Sequence, residues 1–298
     1  MITRLKNLYY FYSQYYKTRD KRKGYKPYKI LNAEQTIKRV IENRISISRY
    51  GDADFRLLTE TGDVGYQEPN HLLAVELRRV LLSSSDQHLV CIPIFLNNFS
   101  YYRIAIRFWC LNFLNNNWKI LKPYLRHDYT YGNANASRFY FDTPRRNKKT
   151  EKIINLFKKL WEDKDILILE GEYSRLGVGN NLFDNCRSIQ RIICPAKNAF
   201  SLYDTIFNEV LEHGKDKLIL MALGSTATVM AYDLSQKGYW AVDVGHIDME
   251  YVWYLMKAET KVPIPGRILN EVNETQSSEI SQEFINAYIS SIVKTIKF

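Results

Sequence analysis

The sequence predicts an α/β fold, Rossmann-like, with a mostly parallel sheet and helices on both faces. Continuously apolar segments such as "HLVCIPIF" (88–95), "DILILEGE" (165–172) and "KLILMAL" (217–223) have the length and composition of buried strands. Amphipathic segments alternate with them, as at 150–161 and 200–214. Strands without polar alternation are typical of parallel sheets, because helices cover both of their faces.

The remaining elements continue this alternation. Asn70 is a suitable N-cap for a helix over 72–82, and Gly238 is a suitable stop for a helix over 225–238. The other predicted strands are 44–50, 191–196 and 239–245.

The composition is that of a globular protein. The chain has 298 residues, of which 46% are hydrophobic, enough for a substantial core. Its four cysteines form no CxxC pair, which favours reduced thiols in a cytoplasmic protein. We expect no secretory signal, and the most apolar run, at 104–114, is too short to span a bilayer and contains Arg107.

The positive charge is concentrated at the N-terminus. Residues 1–30 contain nine basic residues against Asp20 alone, or +8 of the total +10. The nearly neutral remainder indicates that nucleic acid is not the partner. The tyrosine-rich, basic segment either makes peripheral contact with an anionic membrane surface or is a solvated, partly helical extension. The sequence leaves both interpretations open.

We divide the chain into three parts. Residues 1–33 are predicted to be a basic, Tyr-rich extension, residues 34–275 the main domain, and residues 276–298 a C-terminal helix packed on that domain. The last boundary rests on "SSEISQEF", which has the pattern of a capping box at the start of a helix.

Glycine and polar residues follow four of the predicted strands. In open parallel sheets, ligands bind beyond the carboxyl ends of the strands, so these four segments are the candidate site. "LGSTAT" at 223–228 offers amide N–H groups at a helix N-terminus, where the helix dipole favours a phosphate, although an ordinary capped helix has the same residues. The other three segments are "GDAD" (51–54), "EGEYSRLGVGNN" (170–181) and "GHIDMEY" (245–251).

The acidic residues in these segments allow two interpretations each. Asp52 and Asp54 could act as a base, position a sugar hydroxyl or help hold a metal, or they could stabilise a turn. Asp248 and Glu250 form a DxE pair that could hold Mg²⁺ or Mn²⁺ if the backbone is irregular there. On a helix, however, residues two apart point in nearly opposite directions, and an acidic pair would only suit the helix dipole. His246 is compatible with Mn²⁺.

Five motifs together resemble the GT-D-fold bacterial glycosyltransferase family, first catalogued as a domain of unknown function. The resemblance covers about residues 40–275 and rests on "ISISRYGDADF", "EGEYSRLGVGNNLFDN", "RIICPAKNAF", "LILMALGSTATVMAYDL" and "GYWAVDVGHIDMEY". It implies a metal-dependent glycosyltransferase that moves a sugar from a nucleotide-sugar, typically a UDP-sugar, to a glycan or glycopeptide acceptor. Related enzymes make surface polysaccharides or glycosylate proteins, which places this one in the cytoplasm, at the inner face of the membrane.

The resemblance also implies roles for individual residues. Asp248 and Glu250 correspond to the family's metal-binding DxE motif, with Mn²⁺ or Mg²⁺ as the cofactor. The family's usual "GDGE" is "GDAD" here, and its "LGPTAT" is "LGSTAT". We assign catalytic roles to Asp52, Asp54 and His246, with Asp52 as the first choice of base. The predicted nucleotide-sugar-binding residues are Arg49, Gly51, Glu172, Ser174, Arg175, Gly177, Gly179, Asn180, Gly224, Ser225 and Thr226.

The altered "GDAD" motivates a second hypothesis. A protein of the same fold could bind nucleotide-sugars, or act as an interaction protein, with weakened catalysis. Binding of a nucleotide-sugar without release of the nucleotide would distinguish that protein from an enzyme.

Overall fold

The computed structural model describes residues 2–143, 148–267 and 282–298. Within these residues, all strands join one parallel sheet of nine strands. The strands are β1 (Lys29–Ile30), β2 (Ser46–Arg49), β3 (His88–Ile92), β4 (Thr130–Asn133), β5 (Asp165–Gly171), β6 (Ser188–Cys194), β7 (Leu218–Ala222), β8 (Trp240–Asp243) and β9 (Ile292–Thr295).

Helices connect the strands and cover both faces of the sheet. They are α1 (Ile2–Lys17), α2 (Ala33–Asn43), α3 (Asp52–Leu58), α4 (His71–Leu82), α5 (Ile104–Leu121), α6 (Lys148–Trp161), α7 (Tyr203–His213), α8 (Ser225–Gln236), α9 (Ile247–Leu255) and α10 (Gln282–Ser290). None of the helices in the described residues combines the length and apolar character needed to cross a bilayer.

The predicted α/β class is confirmed, and the burial of β5 shows why its sequence lacks alternation. Ile166 and Ile168 belong to the core on one face of the sheet, while Leu167 and Leu169 belong to the core on the other. All four side chains are fully buried. A strand covered on both faces has no position for a polar side chain that lacks a buried partner.

The strand order locates the crevices of the sheet. The order is β1-β4-β3-β2-β8-β7-β5-β6-β9. From β2 the chain continues to β3 on one side, whereas from the adjacent β8 it continues towards β9 on the other. The neighbours β5 and β7 also continue in opposite directions. Such switch points open crevices at the carboxyl ends of the strands. Here one crevice lies between β2 and β8, and the other lies between β7 and β5.

The predicted start of α4 and the predicted end of α8 are confirmed. The Asn70 side chain accepts a hydrogen bond from the Leu73 backbone N–H at 3.0 Å and caps α4. Gly238 has φ +81° just beyond the end of α8, a conformation that favours glycine. The strand predicted over 88–95 ends earlier, at Ile92, because Pro93 follows and cannot donate to a sheet hydrogen bond.

Both predicted terminal parts require correction. The N-terminal segment is not a separate extension, because the α1 residue Phe11 is buried in the body and β1 joins the sheet beside β4. The C-terminal part is not only a helix, because β9 follows α10 and pairs with β6. The predicted capping box at 277–281 lies outside the described residues.

Candidate functional site

A buried ion pair joins the carboxyl ends of the adjacent strands β2 and β8. Arg49 Nη2 lies 2.9 Å from Asp243 Oδ1, and Arg49 Nε donates to the Asp243 backbone oxygen at 2.8 Å. The other guanidinium nitrogen, Nη1, donates to Ser137 Oγ at 2.8 Å and to the Ala134 oxygen at 3.2 Å. Burial raises the pKa of Asp243, while the Arg49 charge beside it opposes that rise.

Gly245 makes room for this guanidinium. Its φ is +45°, and a Cβ at this position would overlap Arg49 Nη2. The next residue, His246, is half-buried, with Nδ1 3.3 Å from Arg138 Nη2. Arg49, Arg138 and His246 therefore lie around the same turn at the end of β8.

The "GDAD" segment begins helix α3. Asp54 Oδ2 accepts the Gly51 backbone N–H at 2.8 Å and thereby caps the helix. Burial raises the pKa of Asp54 to about 6, although the nearby Ser225 hydroxyl and the hydrogen bond from the Gly51 N–H lower it part of the way. Asp52 is more exposed and forms an ion pair with Arg56 at 3.0 Å. Of the two carboxylates, Asp52 is the one that an incoming molecule can reach.

The "LGSTAT" turn begins helix α8 as predicted, and a tyrosine covers it. Gly224 has φ +54° and ψ −139°, and a Cβ on it would overlap the Tyr66 ring. The Tyr66 backbone carbonyl accepts the Asn198 N–H at 2.9 Å, which ties the segment that carries this ring to the loop before α7. Beneath the ring, Ser225 and Thr226 are almost completely buried. Thr226 Oγ1 has no hydrogen-bond partner among the residues that the structure describes.

Hydrogen bonds to the Asp248 side chain fix the glycine-rich loop that follows β5. Gly177 N–H and Asn180 Nδ2 each donate to Asp248 Oδ1 at 2.8 Å. Gly177 has φ +74°, and a side chain there would overlap Phe183, whereas Gly179, also at φ +74°, has open space around it. A buried ion pair at 2.6 Å between Glu170 and Arg191 fixes the start of the loop.

Three predicted ligand-binding residues of this loop are directed elsewhere. Arg175 Nη1 donates to the Gly266 oxygen at 3.0 Å, and its guanidinium lies 6.0 Å from the Tyr288 ring centroid. Glu172 pairs with Lys297 at 3.6 Å, and the Ser174 N–H closes a turn onto Gly171. The prediction that Arg175 binds a diphosphate therefore does not fit this geometry, because the guanidinium contacts Gly266 and the α10 residue Tyr288 instead.

The two carboxylates of the DxE motif also have internal partners. Asp248 is buried, and its Oδ2 lies 2.6 Å from Arg267 Nε, in addition to the loop contacts of its Oδ1. Glu250 Oε2 accepts the backbone N–H groups of Tyr140 at 2.7 Å and Phe141 at 3.0 Å. Burial raises the pKa of Glu250 to about 7, and the nearby Asp142 charge adds to the rise.

These contacts correct the predicted metal pair. Asp248 and Glu250 lie in a regular helix, α9, so residues two apart point to opposite sides and bind different segments. The structure does not bring them together on one ion. Among the described residues, one potential metal-binding group emerges, Glu209, Glu212 and His213. It lies at the end of α7, at the opposite edge of the sheet, and Glu209 already pairs with Lys294.

Fewer of the predicted site residues therefore meet at the carboxyl edge of the sheet than we expected. Arg175, Thr226 and Glu250 have separate neighbours, whereas the ends of β2, β8 and β7 do meet. Sequence reasoning missed Asp243 and Tyr66 at this edge. An acidic residue inside the apolar run "YWAVDV" was a signal for Asp243, since buried carboxylates are rare without a partner. Tyr66 had no such signal, because it lies in an irregular segment.

Comparisons with known proteins match most of the chain. The model of the family "Glycosyltransferase GT-D fold" covers residues 47–272. The protein "Probable glycosyl transferase Gly" of Streptococcus gordonii is 37% identical over 279 residues, which are 90% of this chain and 39% of that protein. "Glycosyltransferase GlyD" of Streptococcus pneumoniae serotype 4 is 37% identical over 259 residues, 86% of this chain and 31% of that protein. The chain thus spans less than half the length of these relatives.

Solved structures agree on the fold. A glycosyltransferase from Streptococcus sanguinis has a TM-score of 0.84 and 38% identity, with 91% of this chain and 100% of that chain covered. A domain of unknown function 1792, described as having a distinct glycosyltransferase fold, has a TM-score of 0.84 and 36% identity, with 91% and 96% covered. On the evidence of its sequence match and its sheet, this chain belongs to the GT-D-fold glycosyltransferases.

Proposed function

We propose that the chain transfers a sugar from a nucleotide-sugar, a UDP-sugar in particular, to a glycan or glycopeptide acceptor. The observation that carries this proposal is the meeting of the Gly224–Thr226 turn, the Arg49–Asp243 pair and Asp52 at one edge of the sheet, in a chain of the GT-D family. The first turn of α8 supplies backbone N–H groups and a positive dipole end for a diphosphate.

The proposed chemistry follows from where charge develops. As the glycosidic bond of the donor breaks, negative charge grows on the departing diphosphate. The α8 N-terminus and Arg138 would stabilise that charge, while Arg49, already paired with Asp243, would hold the ends of β2 and β8 together beside it. Asp52, the exposed carboxylate, would take the proton from the acceptor hydroxyl, with His246 as the second candidate. We assign Asp54 a supporting role, because its oxygen already caps α3.

Metal dependence stays a prediction. The resemblance implies Mn²⁺ or Mg²⁺, but the carboxylates of the DxE motif do not fit a shared ion, since Asp248 is neutralised by Arg267 and Glu250 holds two backbone N–H groups. Comparing turnover in Mn²⁺, in Mg²⁺ and in excess chelator tests the requirement directly.

We place the reaction in the bacterial cytoplasm, at the inner face of the membrane, in the synthesis of a surface polysaccharide or glycoprotein. Nucleotide release and sugar transfer can be followed by mass spectrometry with a panel of UDP- and GDP-sugars. We expect Asp52→Asn to lower turnover by at least about 100-fold, as for loss of a general base. The matched control is Asp86→Asn, an exposed aspartate just before β3, at the opposite edge of the sheet.

Thr226 provides a sharper test of donor binding. Because Thr226 Oγ1 makes no hydrogen bond to the described part of the chain, Thr226→Val should not lower the free energy of unfolding, and it should weaken binding of the donor by about tenfold. The matched control is Thr228→Val, whose hydroxyl donates to the Arg49 oxygen at 3.1 Å and should cost about 1 kcal/mol of stability. Donor binding unchanged in Thr226→Val would contradict the assignment of the turn. Binding of a donor without nucleotide release would favour the weakened, non-catalytic protein.

A further inference from the structure

Helix α1 presents a stripe of exposed large side chains. Leu5, Tyr9, Tyr12 and Tyr16 are spaced by four, three and four residues, which places them on one helix face. Their exposed fractions are 59%, 79%, 47% and 65%. Exposed aromatic residues scattered singly need no explanation, but a continuous stripe along a helix indicates a contact surface.

The rest of the protein holds this stripe outward. On another face of α1, Phe11 is buried, with its ring centroid 5.7 Å from that of Phe99 and 5.4 Å from that of Phe108. At the end of the segment, the buried Arg22 donates to Asn115 Oδ1 at 2.8 Å and to the Tyr15 oxygen at 2.7 Å. The helix is therefore fixed to α5, and the stripe cannot turn inward without breaking these contacts.

Positive charge accompanies the stripe in the N-terminal segment. Seven exposed basic residues lie between Lys6 and Lys29, against the single exposed carboxylate of Asp20. They are Lys6, Lys17, Arg19, Lys21, Lys23, Lys26 and Lys29. A surface that combines tyrosines with lysines matches the headgroup region of a bilayer, where aromatic rings lie at the interface and cations meet anionic lipids.

We infer that the stripe and its basic surroundings dock the protein on an anionic lipid bilayer. This inference extends the location given in the proposed function, but its test needs no sugar transfer, so either can fail without the other. A second copy of the chain fits less well, because two such surfaces would bring like charges together. Nucleic acid also fits less well, because it would bind the lysines but would offer Leu5 no apolar environment.

The experiment measures partition of the full chain onto vesicles by sedimentation. We expect binding to vesicles of phosphatidylglycerol and phosphatidylcholine but not of phosphatidylcholine alone. Binding should decrease several-fold between about 0.05 M and about 0.5 M NaCl, because salt screens the attraction. In Lys17→Gln/Lys21→Gln/Lys26→Gln, the partition coefficient should fall by more than about tenfold. In Leu5→Gln/Tyr9→Gln/Tyr16→Gln it should fall several-fold at either salt concentration.

Matched controls separate docking from general effects. Lys215→Gln/Lys237→Gln removes exposed charge from the turns before β7 and β8, and Leu72→Gln/Val75→Gln removes exposed apolar area on α4. Both should bind as the unsubstituted protein does, and circular dichroism should show every variant folded. The inference is overturned if the full chain ignores anionic vesicles, or if the α1 variants bind unchanged. It is also overturned if the α1 substitutions weaken binding of a short DNA duplex, or self-association of the chain, and leave lipid binding unchanged.

Discussion

Replacing Asp243 by Asn tests whether the Arg49–Asp243 pair anchors the site as described. Asn has nearly the same shape as Asp, so the change removes the charge and little else. Arg49 would then remain buried, with 13% of its side chain exposed and no anion beside it. Breaking a buried pair by removing one partner costs about 3–5 kcal/mol. Because Arg49 keeps its bonds to three oxygens of Asp243, Ala134 and Ser137, we expect the lower end, about 3 kcal/mol.

The assay is denaturant unfolding followed by circular dichroism, with thermal unfolding as a second measure. A loss of about 3 kcal/mol corresponds to a decrease in Tm of roughly 5 °C for a domain of this size. The double variant Arg49→Met/Asp243→Leu should recover much of the loss, since it leaves no buried charge. The matched control is Asp165→Asn, which breaks the exposed pair with Arg187 and should cost less than about 1 kcal/mol. If Asp243→Asn unfolded within about 0.5 kcal/mol of the unsubstituted protein, the anchoring role would be refuted.

Two further predictions concern neighbouring residues. The pKa of Asp54 is about 6 in the folded protein against 3.8 for an ordinary Asp, so the folded state holds an extra proton between these values and stability should fall by about 3 kcal/mol in all as the pH rises from about 3 to about 7. Asp54→Asn should flatten this part of the stability profile, and an unchanged slope would contradict the assignment. Gly224→Ala should cost at least about 2 kcal/mol, because a Cβ strains the backbone and displaces Tyr66. Gly238→Ala, with φ +81° and nothing nearby, measures the backbone cost alone, and equal losses in the two variants would show that Tyr66 does not cover the turn.

Some of the site could be predicted because it depends on features within one element. Gly224 follows an apolar strand and precedes a helix, and only that local order is needed to place amide N–H groups at the end of β7. The same holds for Asp54, three residues after Gly51, where a carboxylate caps a helix. The DxE pair shows the limit of such reasoning. Its spacing allowed convergence only on an irregular backbone, and helix α9 continues through it.

The sequence by itself determined the alternation of apolar strands and amphipathic helices, the parallel class of the sheet and the edge of the sheet at which the candidate site lies. These follow from hydrophobic burial and local backbone preferences, which act over a few residues. Only the tertiary structure decided which side chains meet. Arg49 and Asp243 are far apart in the chain and pair because β8 lies beside β2, and Arg175 turns away because the C-terminal segment packs against its loop. Partner choice for a charged side chain depends on which strand is its neighbour, and no short stretch of sequence contains that information.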